Sequence, residues 1–197
     1  YDLRSLVSFT DKAKAAGKKP TTKLLGFGVV AAGDVGAEVC AALAIEPSVQ
    51  LWELLRLRLA DGVPVILEHR YVVQGMCPKL TKAQAAGSLY RAWTDQHGLV
   101  ISGADEVISA VSLKGKEAER LGVARGTPAF EVVGIGRVDS QQADNGRPLW
   151  WERTLYRGDQ YLFHSRLGPV QGGVMPTRGM LRSGTGRDGV GESRSAS

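Results

Sequence analysis

The stretch Leu51-Trp-Glu-Leu-Leu-Arg-Leu-Arg-Leu-Ala-Asp-Gly-Val-Pro-Val-Ile-Leu-Glu-His-Arg-Tyr71 decides the fold class. It reads as a β-hairpin: two runs rich in Leu, Val and Ile flank Asp61-Gly62, a pair that tolerates the positive φ of a tight turn. Side chains alternate along a strand, so Leu55, Leu57 and Leu59 share one face and Arg56 and Arg58 share the other, roughly 7 Å apart. Alternating Leu and Arg in an antiparallel strand ordinarily marks a face open to water. Here Trp52 and Leu54 continue the arginine face with bulky apolar groups, and the return strand brings Glu68, His69, Arg70 and Tyr71 nearby. A half-apolar face carrying two guanidiniums suits an anionic ligand, because the guanidinium fork matches carboxylate or phosphate with paired hydrogen bonds.

The turn decides which residues of the return strand join the arginines. A two-residue turn pairs Arg56 with Leu67 and puts His69 and Tyr71 on the arginine face. A three-residue turn, Ala60-Asp61-Gly62 with Gly62 at a left-handed bulge position, pairs Arg56 with Ile66 and brings Glu68 to that face instead.

With 197 residues, 43% of them hydrophobic, the chain can build one domain with a substantial core, read here as residues 1–166 followed by a tail. A net charge of +5 permits contact with nucleic acid without requiring it. The two cysteines, Cys40 and Cys77, form no paired motif, which points to a reducing compartment. No apolar run approaches the roughly 18 residues of a membrane span and no signal-peptide pattern opens the sequence, so a soluble cytoplasmic protein is expected. The chain begins at Tyr1 rather than Met, which suggests that a segment once preceded it.

Around the hairpin the sequence alternates strands with short helices. Thr10 is placed to cap a helix over 11–16 that Gly17 stops, and residues 22–32 form a strand. Gly26-Phe-Gly28-Val-Val-Ala31, with Glu46 further on, matches a dinucleotide fingerprint, but Val29 and Val30 continue the strand where a helix should open. Residues 34–44 are an amphipathic helix, and Gln74 to Pro78 is a turn. Two helices, 81–86 and 88–97, break at Gly87. As a helix-turn-helix this pair lacks cations, since Arg91 is the only one in its second helix. Ser88 at a helix N-terminus instead favours an anion. Strands are expected over 98–113, 127–138, 147–156 and 160–166, with a helix over 115–121. Residues 167–197 hold eight glycines, four serines and two prolines, too little apolar surface to offset ordering, so disorder is expected. Hairpin-joined strands with inserted helices define an antiparallel α+β fold.

Catalytic and metal chemistry finds little support. Ser88 is not in a nucleophile elbow, and His69, His97 and His164 show neither a relay nor ligand spacing with the cysteines. No catalytic residue, metal or cofactor is therefore expected.

Taken in order, several short motifs resemble one family. They are Ser8-Phe9-Thr10, the hairpin from Leu55 to Pro64, Glu68, Tyr71, Gly87-Ser-Leu-Tyr90, Glu117-Ala118 and Leu121-Gly122. Gly126-Thr-Pro128 and Tyr156-Arg-Gly-Asp-Gln-Tyr161 complete the series. Their order and spacing resemble the UTRA domain, the effector-binding and dimerisation half of HutC-subfamily GntR-type bacterial transcription regulators, over about residues 1–166. The resemblance implies a chorismate-lyase-like fold, a mostly antiparallel sheet of about six strands with flanking helices. It implies that Arg56, Arg58, Ser88 and Tyr90 hold the anionic end of a small metabolite such as a phosphorylated sugar or amino sugar. Phe9, Thr10, Glu68, Glu152 and Tyr156 are then expected around its polar body, and a homodimer is expected. Glu68 in the site requires the three-residue, bulged turn. The family's winged-helix domain is absent, so operator DNA would be reached only through a domain preceding Tyr1. A chorismate-lyase-like enzyme, with the arginines gripping carboxylates, is the alternative; fold analogy alone favours it little.

Overall fold

The computed structural model describes residues 9–140 and 146–163. Its central hairpin is β2 (Gln50–Ala60) and β3 (Val63–Val73). Asp61 and Gly62 both take positive φ, 51° and 81°, and Ala60 pairs with Val63 across them. This is a two-residue turn, not the three-residue bulged turn expected. The bulge exists, but it lies further along: Leu59 pairs with Pro64 and Arg58 with Ile66, leaving Val65 as the extra residue. Pro64 has no N–H to give the ladder, which makes its surroundings the place where the register slips. The outcome for the arginines is the one required, since Arg56 faces Glu68 across the ladder. Asp61 also anchors the tip, its Oδ1 accepting from the Lys19 backbone N–H at 2.8 Å.

Four further strands complete the sheet: β1 (Pro20–Ala31), β4 (Ile101–Ser112), β5 (Pro128–Val138) and β6 (Arg147–Arg157). Their order is β1-β2-β3-β6-β5-β4, every pairing antiparallel, so the α+β expectation with six strands holds. The helices are α1 (Phe9–Ala15), α2 (Ala32–Val35), α3 (Ala37–Leu43), α4 (Lys82–Ala86), α5 (Leu89–Arg91) and α6 (Gly115–Leu121).

Several boundaries differ from the sequence reading. α1 starts at Phe9, so Thr10 lies within it and is not its cap. The single helix expected over 34–44 is two pieces, because Gly36 takes φ 118° and breaks the path while Gly33 packs under Pro47. The second helix of the Gly87 pair does not stay α-helical: α5 widens into a π turn over Ala92–Gln96. β4 begins at Ile101 rather than Gly98. No strand forms over 160–163; Tyr161 and Phe163 fold back to contact Tyr156 edge-on, and 164–166 lie outside the described residues. So do Tyr1 to Ser8 and the tail for which disorder was expected.

Period-2 alternation sends the two faces of the sheet into separate cores. On the arginine face Leu54 and Val72 meet Ala85, Leu89 and Trp93 from α4, α5 and the π turn, with Trp150 of β6 at the centre. On the other face Leu57, Leu59 and Leu67 pack under α6, and Leu51, Tyr71 and Trp151 under α2 and α3. Trp93 and Trp150 stack with centroids 4.7 Å apart and are fully buried. Among the described residues no helix is long and apolar enough to cross a membrane.

Gly136 is the position that admits this stack. It lies opposite Trp150 in the ladder, and a Cβ there would occupy the space of the indole ring. Because the ring is clamped by Trp93, it cannot turn aside. Gly136→Ala should destabilise the domain by about 1–3 kcal/mol, read as a lower urea midpoint with unchanged slope. An unaltered midpoint would show that the indole can move, against this account of the core.

Candidate ligand pocket

Register and pleat together assemble the site. On the arginine face Arg56 and Arg58 of β2 adjoin Ile66, Glu68 and Arg70 of β3, which in turn face Tyr156, Thr154 and Glu152 of β6. Glu106 of β4 closes the row across Gly134, where a Cβ would come within 3.0 Å of its Cγ. Phe9 of α1, Ser88, Leu89 and Tyr90 at the head of α5, and Tyr161 cover these side chains and leave a cavity of about 50 Å³. Of the residues expected in the site, Phe9, Arg56, Arg58, Glu68, Ser88, Tyr90, Glu152 and Tyr156 all line it. Thr10 does not.

Burial of the arginines excludes the open-face arrangement. Arg56 is 2% exposed and Arg58 is 3% exposed. A buried guanidinium needs partners for its N–H groups, and the three arginines here find them to different degrees. Arg56 donates from Nε and Nη2 to Glu68 Oε1, at 2.9 and 2.5 Å, and from Nη1 to the carbonyls of Ala85 and Gly87. Arg70 donates from Nη2 to Glu152 Oε2 at 2.6 Å and lies against the faces of Trp93 and Trp150. Glu152 also accepts from the Trp150 indole and the Thr154 hydroxyl.

Arg58 differs. Its Nη1 donates to the Thr22 hydroxyl at 2.8 Å and the Gly87 carbonyl at 3.2 Å, and its guanidinium sits 5.0 Å from the Phe9 ring centroid. Among the described residues it makes no ion pair, which sets it apart; its buried Nε has no hydrogen-bond partner, as is also true of Nε and Nη1 of Arg70.

The electrostatics follow from this pattern. Burial pushes the Glu68 carboxyl up, but Arg56, Arg70 and Arg58 outweigh it and hold it at about 2. Burial lowers Arg56 to about 9 against the pull of Glu68. Burial likewise lowers Arg58, against an opposing pull from Glu68. For Arg70 burial is overcome by Glu152 and Glu68, and the guanidinium is held firmly charged. Burial raises the Tyr90 phenol, which stays protonated as a donor.

Ile66, Arg70, Leu89, Glu106 and Tyr161, which line the pocket, and Thr22, which supports Arg58, are not in the set expected from sequence. Arg70 was in view but unassigned; its parity with Glu68 would have placed it once the register was known. Glu106 and Thr22 belong to segments distant in sequence and carry no local signal, while Tyr161 ends the Tyr156-Arg-Gly-Asp-Gln-Tyr161 motif without an expected role in the site. Ser88 does serve as an N-cap, its hydroxyl accepting from the Arg91 N–H at 3.4 Å. His69 and Tyr71 fall on the opposite face, where both reach Glu53 Oε1. Among the described residues no cluster of His, Cys, Asp and Glu is arranged to hold a metal.

Comparison with known proteins adds an independent line. A family model described as the UTRA domain matches residues 15–162. The HTH-type transcriptional repressor NagR of Bacillus subtilis is 27% identical over 161 residues, covering 82% of this chain and 63% of NagR. The regulator TreR of the same organism is 30% identical over 133 residues, covering 68% of this chain and 54% of TreR. The chain thus spans just over half to under two thirds of these relatives' length. Among solved structures, the effector domain of PhnF from Mycobacterium smegmatis superimposes with a TM-score of 0.70 at 23% identity, over 83% of this chain and 96% of that one.

The Glu68 environment sets a stability test. Its folded pKa of about 2 lies below the ordinary 4.5, so its ionised form stabilises the fold above pH 4.5, and that contribution is lost as pH falls towards 2. Glu68→Gln should cost about 3–5 kcal/mol at pH 7, because it leaves buried guanidinium charge uncompensated. Urea titrations of parent and variant should show the gap narrowing by a few kcal/mol between pH 4.5 and 2. A gap independent of pH would show that Glu68 is not the ionised partner described.

Proposed function

The chain belongs to the UTRA domain family, and on that premise we propose that it is the ligand-sensing domain of a GntR/HutC-type transcription regulator. Its ligand is a small anionic metabolite, foremost a phosphorylated sugar or amino sugar. The observation that carries this reading is Arg58: a guanidinium 3% exposed, lining a cavity, with no carboxylate partner among the described residues. Glu68 and Glu152 are already matched by Arg56 and Arg70. An incoming phosphate or carboxylate supplies the counter-charge Arg58 lacks. Arg56 adds its field to the same end of the pocket, while Ser88 and Tyr90 offer hydroxyls. Phe9, Glu68, Glu152 and Tyr156 surround the polar body of the ligand.

Small-molecule sites commonly measure about 300–1,000 Å³, so a cavity of about 50 Å³ must widen to admit a sugar phosphate. The cover that can yield is α1, held over Arg58 by the Phe9 ring and at its exposed side by the Asp11–Arg91 pair at 3.1 Å. Binding therefore favours a displaced α1. A ligand shifts an equilibrium only by its preference for one state, and a hundredfold preference is worth about 2.7 kcal/mol. In the whole regulator this shift reaches operator DNA through a DNA-binding portion before this domain, as part of a cytoplasmic homodimer. The relatives' names, repressor and regulator, support that reading.

A thermal-shift panel tests the ligand class. A phosphorylated sugar at about 100 times its dissociation constant should stabilise by about 2.7 kcal/mol, roughly 5–10 °C in melting temperature, and its neutral parent sugar should do nothing. Arg58→Gln should weaken binding at least about a hundredfold while leaving the fold intact. Equal response to charged and neutral sugars, or an Arg58→Gln protein that binds like the parent, would remove the proposal.

A further inference from the structure

Arg70 leaves part of its guanidinium unanswered. The group carries five N–H bonds, and among the described residues only Nη2 is matched, donating to Glu152 Oε2 at 2.6 Å. Nε lies 3.3 Å from Glu68 Oε1, an ion pair without hydrogen-bond geometry, and Nη1 has no partner, although the residue is 5% exposed. Buried donors without acceptors are costly and rare in folded proteins. Nor can this one swing aside to find an acceptor. The guanidinium lies over the rings of Trp93 and Trp150, 5.5 and 5.1 Å from their centroids, and those rings are stacked on each other in the core. Trp93 and His97 also hold a buried nitrogen without a partner, but neither lines the ligand pocket, whereas Arg70 does. The indole bed and Glu152 thus fix the group and leave Nη1 as a preset donor beside the cavity.

We infer that Arg70 Nη1 donates to a hydroxyl oxygen of the bound metabolite, so that the pocket reads a hydroxyl-bearing body at Arg70 and an anion at Arg58. This deepens the anionic-ligand reading of the preceding section and rests on it. The surroundings of Arg70 disfavour a second anion there. Glu152 at 2.6 Å and Glu68 at 3.3 Å already supply two carboxylates, and a third negative group would be repelled by both. The acceptor is therefore neutral. A hydroxyl suits better than a carbonyl, because it accepts from the guanidinium and still has a proton to give to a neighbouring carboxylate. Register separates this point from the anion's. Arg58 faces Ile66 in the ladder, and Arg70 follows four residues along β3, about 13 Å at 3.3 Å per residue, with Arg56 and Glu68 between them. A ligand anchored by its anion at Arg58 reaches Arg70 only with an extended skeleton, and it satisfies Nη1 only if that skeleton carries oxygen. Arg58 then selects for charge, and Arg70 separates sugar phosphates from phosphates on a bare alkyl chain.

Calorimetric titration of the whole chain tests this. The tightest binder among the 6-phosphates of glucose, glucosamine and mannose should exceed hexyl phosphate, which carries the same anion and no hydroxyl, by at least about thirtyfold. At least one monodeoxy analogue of that sugar phosphate should bind about tenfold or more weakly than its parent compound. In Arg70→Lys, which keeps a positive charge beside Glu68 and Glu152, the same deoxygenation should cost little, because both changes remove one hydrogen bond. Hexyl phosphate binding as tightly as the sugar phosphates would overturn the inference and leave the anion reading standing. So would a deoxygenation penalty of equal size in parent and Arg70→Lys, which assigns the hydroxyl to another residue. Binding of no phosphorylated probe would overturn both. Should Arg70→Lys lose the parent's urea transition, nitrogen–proton spectra of the parent's guanidiniums decide instead. The sugar phosphate should slow the exchange of one more set of Nη protons than hexyl phosphate does, and equal spectra count against Arg70.

Discussion

The pairing of Arg56 with Glu68 is the constraint around which the arginine face is arranged. Both groups are buried, and both Nε and Nη2 of the guanidinium converge on one carboxylate oxygen. The remaining donor, Nη1, takes the carbonyls of Ala85 and Gly87 at the end of α4. A charge this deep is costly unless it is paired and its hydrogen bonds are largely met. The corner between α4 and α5 must therefore sit over β2, and with it come Ser88, Leu89 and Tyr90. A single ion pair thus ties the hairpin to the helices that roof the pocket. It also explains why two adjacent arginines have unequal roles. Arg56 spends its donors on the fold, whereas Arg58, one strand repeat further on, meets a hydroxyl, a carbonyl and an aromatic ring but no carboxylate.

A one-residue bulge makes that pairing possible. With the tight turn at Asp61-Gly62 and no slip, Arg56 would lie opposite Leu67, and His69 and Tyr71 would share its face. The slip at Pro64 and Val65 moves β3 by one residue. Glu68 and Arg70 then turn to the arginine face, and His69 and Tyr71 to the other, where they join Glu53. Two clusters of opposite character are sorted to two faces by the residue that cannot donate to the ladder. Below the ionic row the Trp93 and Trp150 stack gives Arg70 an apolar bed, and Gly134 and Gly136 make room for Glu106 and the indole. The pocket is consequently rigid on its sheet side. On its other side lies α1, a short helix that sets Phe9 against Arg58, pairs Asp11 with Arg91 and packs on β1 with Ala13 buried.

This division suits a sensor. Interactions that hold the fold, Arg56 with Glu68 and Arg70 with Glu152, also preset the charges a ligand would meet, so little reorganisation is needed at the anionic end. In the proposed mechanism the adjustable part is the cover. A family whose relatives carry the names of repressors and transcription regulators matches most of the chain, and a preset charge under a movable roof is one physical way for such a domain to convert binding into displacement.

Local sequence determined the hairpin, the antiparallel α+β class, the shared face of Arg56 and Arg58, and the short helices near their observed positions, because strand alternation and turn chemistry act over a few residues. It did not determine the place of the bulge, since Pro64 permits a slip without dictating where strand pairing recovers. Nor could it see the break at Gly36, where φ is 118°, or the π turn after α5. Most of the pocket's residue types were legible through the resemblance to a family, yet Arg70, Thr22, Glu106 and Tyr161 were not. They come from four separate segments, and only the order β1-β2-β3-β6-β5-β4 brings them together. Which guanidinium lacks a counter-charge was likewise a tertiary decision. That depends on where each carboxylate ends up in space, and a sequence counts charges without pairing them.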